Sequence, residues 1–496
     1  MRIRSFGKSN CTIRNLARIL HMVSTASPQS GMSTALRLFG RLDILSNMPS
    51  SPSLRAPCRH ARLRRLATKP YEISGLGALQ LPLLFLILCL LIVAPVTAQQ
   101  VDESQILKAM DELVETTARA RGLEPKGPIR KGIKSREEIT GFMNHKISED
   151  YQMERLLLEE KMLKKTGLLP EKIDYQKSIV TLLTEQVQGF YDPEERMLFI
   201  ASWIPMSDQE SIMMHEITHA LQDQHFDLQA RFRAFRNSDD DDYLLAQQAL
   251  FEGDATVVAL QFTIEPFKRH FSELPDLSFI METQMDAEMS KSPILSTTPQ
   301  FLREALIFPY GYGAAFLQEI WKQNPSWEAV NKIYSDPPVS SEQIMHPEKY
   351  YGTRDNPKPV DAAAKAAKLG AEWKTPYKSV FGEFMLGQLL ELHLNKERSR
   401  RAATGWGGDE VLLLENGAGQ NAVWIETEWD TTDDAEKFFD AMNEWFRLRY
   451  PKASRHAAPE GFSLIQNGEY SALFREETGV RIILGISEAD GKKLNN

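Results

Sequence analysis

The stretch from Ser207 to Leu221 restricts what this chain can fold into more than any other. Ser207-Asp208-Gln209-Glu210, shortly after Pro205, has the spacing of a capping box: a serine side chain accepts from the third helical amide and the glutamate reaches back. A helix is expected to start near Asp208. At about 100° per residue, Met213, Met214, Ile217, Ala220 and Leu221 then gather on one face, and His215, Glu216 and His219 on the other. Such a helix anchors one side in a core while the other lines a cleft.

The polar face has a specific chemistry. Histidines four apart lie about 40° apart and one turn along, so both imidazoles can aim at one ion. Zinc held by three protein ligands keeps a fourth position for water, lowers its pKa to roughly 7, and lets a neighbouring carboxylate take its proton. His215 and His219 are therefore candidate ligands and Glu216 the candidate base. The competing reading, two solvated or core histidines beside a surface carboxylate, is decided by a third ligand.

Two residues compete for that position. His225 stands ten residues after His215, a separation used in longer zinc motifs, but the glycine that breaks the helix in those motifs is replaced by Gln222. Without that break the helix runs on and carries His225 off the ligand face, so His225 is expected at the helix end. Glu252, in Phe251-Glu252-Gly253-Asp254-Ala255-Thr256, follows His219 by 33 residues, across a polar loop (Phe235 to Asp242) and within a helical run from Tyr243 to about Phe262. In this helix–loop–helix the sequence resembles the gluzincin branch of the zincin metallopeptidases, where His-Glu-x-x-His is followed by Glu-x-x-Ala or Glu-x-x-Asp on a second helix. The resemblance implies Glu252 as third ligand, Zn2+ as cofactor and a zincin-like fold. Gly253 inside a helix costs about 1 kcal/mol relative to alanine, and close approach of two helix backbones would compensate. Asp223 and Asp254 are the local candidates to orient a ligand histidine from behind.

Thr184 to Ile200 reads as two strands joined at Asp192-Pro193. The zincin resemblance implies an edge strand here, to which an extended substrate adds by backbone hydrogen bonds; the alternative is an ordinary hairpin. Downstream, Phe308-Pro309-Tyr310-Gly311-Tyr312-Gly313 is expected to open a helix through about Trp321, and Pro337 to Tyr350 to form a loop with an embedded turn. His346, Tyr310 and Tyr312 are candidate donors to the oxyanion of a tetrahedral intermediate. Together with the motifs above, these segments resemble a group of largely uncharacterised exported bacterial proteins, which adds support for the fold and no substrate.

The N-terminus bears on compartment. Leu81 to Val93 is an apolar core with small residues at Val96-Thr97-Ala98, preceded by Arg62, Arg64, Arg65 and Lys69, so export with cleavage after Ala98 is expected, or a retained anchor near residues 79–97. Residues 1–70, Arg- and Ser-rich with Asp43 almost their only acid, also suit a transit peptide or a start codon placed upstream of Met48. Cys11, Cys58 and Cys89 all precede the cleavage site, which leaves a mature chain without disulfides or thiolate ligands. The net charge of −9, with no basic patch in the mature chain, argues against a nucleic-acid partner.

The expected architecture is α+β: a basic extension and signal over 1–98; a helical region over 99–180; a zincin-like catalytic domain over 181–400, with a small antiparallel or mixed sheet, active-site helix and helical lobe; and an α+β module over 401–496. In the first helical region Ile106, Met110, Leu113 and Val114 recur at helical spacing, as do Met153, Leu156, Leu157 and Met162. A linker-like Asp355 to Pro359 and a helix from about Ser379 to Leu394 precede the last module. There, Val411 to Leu414, Ala422 to Thr427, Tyr470 to Phe474 and Arg481 to Leu484 read as strands around a helix from about Asp433 to Leu448, and His393 and His456 as lone structural histidines. The expected function is peptide-bond hydrolysis of a peptide or protein substrate by Glu216-activated water. The rivals are an exported binding or assembly protein on the same fold and a hydrolase of non-peptide amides or esters. Oligomeric state is not readable.

Overall fold

The computed structural model describes residues 103–150, 153–203, 206–235, 238–289, 292–458 and 460–494. The basic extension, the apolar segment and the cleavage site therefore lie outside the described residues. The described residues belong to one compact unit of mixed α and β structure.

Three short strands, β1 (Arg130–Lys134), β2 (Gly189–Asp192) and β3 (Met197–Ala201), make a sheet in the order β1-β3-β2. β3 runs parallel to β1 and antiparallel to β2, with Tyr191 opposite Leu198 and Gly189 opposite Ile200. The β2–β3 turn forms where Asp192-Pro193 predicts it, the Asp192 carboxylate accepting from the amides of Glu194 and Glu195 at 2.8 and 3.3 Å. β1 is a difference, since the region before residue 180 reads from sequence as helices alone. Arg-Lys-Gly-Ile-Lys has no alternating apolar pattern, and only pairing with the buried β3 makes it a strand.

The sheet supports two helices. α1 (Glu103–Arg121) and α2 (Met206–Phe226) bury Ile106, Met110, Met213, Ile217 and Leu221 together with Leu198 and Ile200. All five residues expected on the apolar face of α2 are at most 1% exposed. α2 starts at Met206, ahead of Ser207, so Ser207 falls inside the helix rather than at its cap; its side chain lies outside the described part. At the other end Asp227 takes a left-handed backbone (φ 54°) and stops the helix just after His225.

α3 (Asp241–Ile264) begins at Asp240, whose side chain accepts from the Tyr243 amide at 2.8 Å, and it is buried nearly all round. α4 (Gln300–Gln323) crosses it backbone to backbone. A Cβ on Gly313 would lie 2.0 Å from the Ala249 carbonyl oxygen, and one on Gly253 would lie 2.2 Å from the Gly313 carbonyl carbon. The close approach expected at Gly253 thus exists, with α4 as its partner. α4 starts at Gln300, not Phe308, and passes through Pro309, whose missing amide does not end it. The segment from Pro337 to Tyr350 likewise contains two short helices, Ser341–Met345 and Glu348–Tyr351.

The C-terminal part is a seven-stranded antiparallel sheet in the order β4-β5-β6-β10-β9-β8-β7. Its strands are β4 (Trp373–Ser379), β5 (Trp406–Asn416), β6 (Asn421–Trp429), β7 (Ser454–Ala458), β8 (Gly461–Gln466), β9 (Glu469–Glu476) and β10 (Gly479–Ser487). Alternate residues go to opposite faces. Leu413, Val423, Ile425 and Ile482 meet Phe438, Met442 and Trp445 of α5 (Thr432–Arg449), while Leu412, Leu414, Trp424 and Ile483 cover Ala362 and Leu369 on the other side. The sheet begins at Trp373, ahead of residue 401 where the sequence texture changes. The expected helix is shorter than its apolar run, Gly382–Glu391, because the residues before it belong to β4.

Candidate metal centre

α2 brings His215, Glu216 and His219 to its polar face, with Glu216 beside β2, and α3 brings Glu252 against the two histidines. His215 Nε2 lies 3.0 Å from Glu252 Oε2, His219 Nε2 lies 3.3 Å from the same oxygen, and the two Nε2 atoms are 3.1 Å apart. Ligand atoms at about 2.0–2.2 Å around a tetrahedral zinc stand about 3.3–3.6 Å from one another. The triangle of lone pairs therefore fits a zinc ion, and the donor set, two imidazoles and a carboxylate, is one that zinc takes. His225 is turned away: its Nε2 is 2.7 Å from the Glu124 carbonyl oxygen.

Burial would push the Glu252 carboxyl up, but the His219 and His215 rings hold it below the ordinary carboxylate range. Burial would lower His219; the Glu252 charge and hydrogen bond reverse this and raise it to about 9. Glu216, only 7% exposed, is raised by burial and by the Glu252 charge, while His215, His219 and the Tyr191 amide, which donates to it, pull it down. β2 is thus a structural part of the site. Gly189 packs on Glu216, since a Cβ there would stand 3.1 Å from Glu216 Cγ and Ile212 Cγ2.

The oxyanion candidates separate. The Tyr310 ring lies over His215 with centroids 5.9 Å apart, and burial, the Glu252 and Glu216 charges and a hydrogen bond to Glu252 push its phenol well above the usual range. Tyr312 points elsewhere, donating to Glu282 Oε1 at 2.8 Å. His346 is a correction. Its Nε2 pairs with Glu383 Oε1 at 2.9 Å, and the charges that face it are Glu383, Glu342 and Glu348, not Glu216 or Glu252. Histidine in a loop carries no sequence signal for which carboxylate it will meet. A second group of acids, Glu342, Asp355 and Asp430, surrounds the Lys349 ammonium at 2.6, 2.9 and 2.6 Å, so a side chain already provides its cation.

Behind the ligands, neither Asp223 nor Asp254 bonds a ligand imidazole. Asp223 accepts from the Tyr191 hydroxyl at 2.8 Å and the Gln229 amide at 3.1 Å. Asp254 accepts from Arg121 Nε at 2.6 Å, the Tyr334 hydroxyl at 2.5 Å and Gln222 Nε2 at 3.1 Å. The group against His219 is Gln222, whose Oε1 lies 2.8 Å from His219 Nδ1. Its signal in the sequence was the i, i+3 spacing from His219, masked by reading position 222 only as a missing glycine.

Residues 371–495, which coincide with the seven-stranded sheet, match a family described as "Domain of unknown function (DUF8575)". No curated protein matches the chain. Among solved structures it is similar to one from Chloroflexus aurantiacus described as "a putative hydrolase with a novel fold", at 15% identity and a TM-score of 0.31, over 52% of this chain and 91% of that one.

Proposed function

We propose that this protein is an exported zinc metallopeptidase of the zincin type. The observation that carries the reading is the convergence of His215 Nε2, His219 Nε2 and Glu252 Oε2 within 3.3 Å of one another, with the Glu216 carboxylate beside them. His215, His219 and Glu252 would hold the zinc; bound there, it supplies Lewis acidity toward water and carbonyl oxygen. Glu216 takes the proton from the attacking water, and the burial that raises its pKa makes it a better base than an ordinary surface carboxylate. It then returns that proton to the leaving amine. The Tyr191 amide holds Glu216 in place, and the Tyr310 hydroxyl, already against Glu252, is the donor nearest to a developing oxyanion. A peptide substrate is supported by β2, an edge strand of its sheet at the mouth of this chemistry.

The test is metal analysis together with digestion of a proteome-derived peptide library by wild type and by Glu216→Gln. One zinc per chain in both proteins, and a loss of hydrolysis on the order of 10²–10⁴-fold in the variant, is expected. Equal cleavage by the two would sink the mechanism.

A further inference from the structure

We infer that Gln222 is the positioning residue for His219, and that Asp254 sets the direction in which it works. The inference rests on the ligand set just proposed. Gln222 is fully buried, and each end of its amide has a different kind of neighbour. On one side are two acceptors, Asp254 Oδ2 and the Phe251 carbonyl oxygen, both 3.1 Å from Nε2. On the other is His219 Nδ1, 2.8 Å from Oε1. Turning the amide over would set its oxygen against a carboxylate and a carbonyl at once, two contacts between acceptors in a fully buried site, so the NH₂ must face Asp254. Oε1 is then bound to be the acceptor for the ring. His219 must carry a proton on Nδ1, so in the neutral ring it is the Nε2 lone pair that faces His215 and Glu252. The tautomer that a metal needs is in this way dictated from two residues back.

For this to hold, Asp254 has to remain an acceptor, and its surroundings ensure it. Arg121 Nε and the Tyr334 hydroxyl both donate to it, at 2.6 and 2.5 Å, and Arg121 and Asp254 are each fully buried. The Arg121 guanidinium is held in turn over the Trp327 ring, 4.6 Å from its centroid. Arg121 is the last residue of α1, so a helix that offers no ligand contributes to the orientation of one.

The experiment is a zinc titration of the purified full chain in competition with a chromophoric chelator, paired with nitrogen-15 spectra of the histidine rings in the metal-free protein at a pH high enough for the rings to be neutral. Gln222→Met keeps the bulk and removes both polar ends; zinc binding is expected to weaken about 10–100-fold, with His219 losing its single Nδ1–H signature. Tyr334→Phe, which takes one donor from Asp254 and leaves Gln222 intact, is expected to give a smaller loss in the same direction. It carries the test if Gln222→Met does not fold. Unchanged affinity and an unchanged His219 ring signal in the folded variants would overturn the inference while leaving the ligand set standing. If the wild type itself takes up no zinc, both readings fall.

Discussion

The metal centre and the C-terminal sheet both bury carboxylates, and they treat them in opposite ways. In the sheet every one of these acids is met by donors. Asp409 accepts from the Phe381 and Gly382 amides and from Trp406 Nε1, at 2.9, 2.8 and 2.8 Å; Glu426 is met by Trp424 Nε1 and by the Lys365 and Arg481 cations; Asp490 by Trp373 Nε1 and the Ser487 hydroxyl. In the α2–α3 cleft, Glu252 Oε2 is 3.0 and 3.3 Å from the His215 and His219 Nε2 atoms, and the Tyr310 hydroxyl bonds the same side chain. The first arrangement is complete in itself. The second gathers two imidazoles and a carboxylate, a set that a metal cation can also take, within 3.3 Å of one another. The contrast separates acids met by fixed donors of the fold from an acid met by groups that can also bind a metal.

The comparison can be broken most decisively at Glu252. Glu252→Ala should leave the purified protein below stoichiometric zinc after dialysis, with the far-UV spectrum of the sheet unchanged; full zinc content would remove Glu252 from the ligand set. Next comes the helix crossing behind the site. Gly313→Ala places a methyl against the Ala249 carbonyl and should lower stability by about 1–3 kcal/mol, measured by urea unfolding, together with zinc affinity. Gly417→Ala, in the β5–β6 turn with open space around it, should stay within about 0.5 kcal/mol. An equal cost at both positions would mean that the crossing is not closely packed. On the sheet side, Trp406→Phe removes one of three donors to Asp409 and should cost about 1–2 kcal/mol with zinc binding untouched.

The smallest effect is on pH. Burial pushes the Asp409 carboxyl up to about 7, against the opposing pull of the Phe381 and Gly382 amides and Trp406. The folded pKa lies above the unfolded value of about 3.9, so folding takes up a proton in this window. The contribution is fully present below the unfolded value and is lost as pH rises toward about 7. Unfolding free energies measured from pH 4 to 7 should therefore fall less steeply in Asp409→Asn than in wild type; identical slopes would show that Asp409 does not titrate there.

How far the sequence could be read differs by element. α2, the β2–β3 hairpin, α3 and α5 were legible because each carries a local signal: period 3.6, an Asp-Pro turn, an aspartate cap, an apolar stripe. β1 and β7 were not, since Arg-Lys-Gly-Ile-Lys and Ser-Arg-His-Ala-Ala are polar edge strands held by their neighbours rather than by their own pattern. β4 was hidden ahead of an apolar helix, which drew the boundary to the wrong side of it. The site divides in the same way. His215, Glu216 and His219 announce themselves by spacing on one helix, whereas His346 was placed wrongly because its partner, Glu383, lies 37 residues away.

By itself, then, the sequence determined which side chains share a helical face, since a helix converts spacing into direction whatever surrounds it. It determined the motif, its polar face and the glycine that a close crossing needs. Tertiary structure alone decided which residues from different elements meet: Glu252 with the two imidazoles, Gly253 with Gly313, Gln222 with Asp254, and Arg121 of α1 with that same carboxylate. Those encounters follow from how α1 and α2 pack on the sheet and how α3 packs against α1, α2 and α4. Packing is a property of whole surfaces, and no local spacing records it.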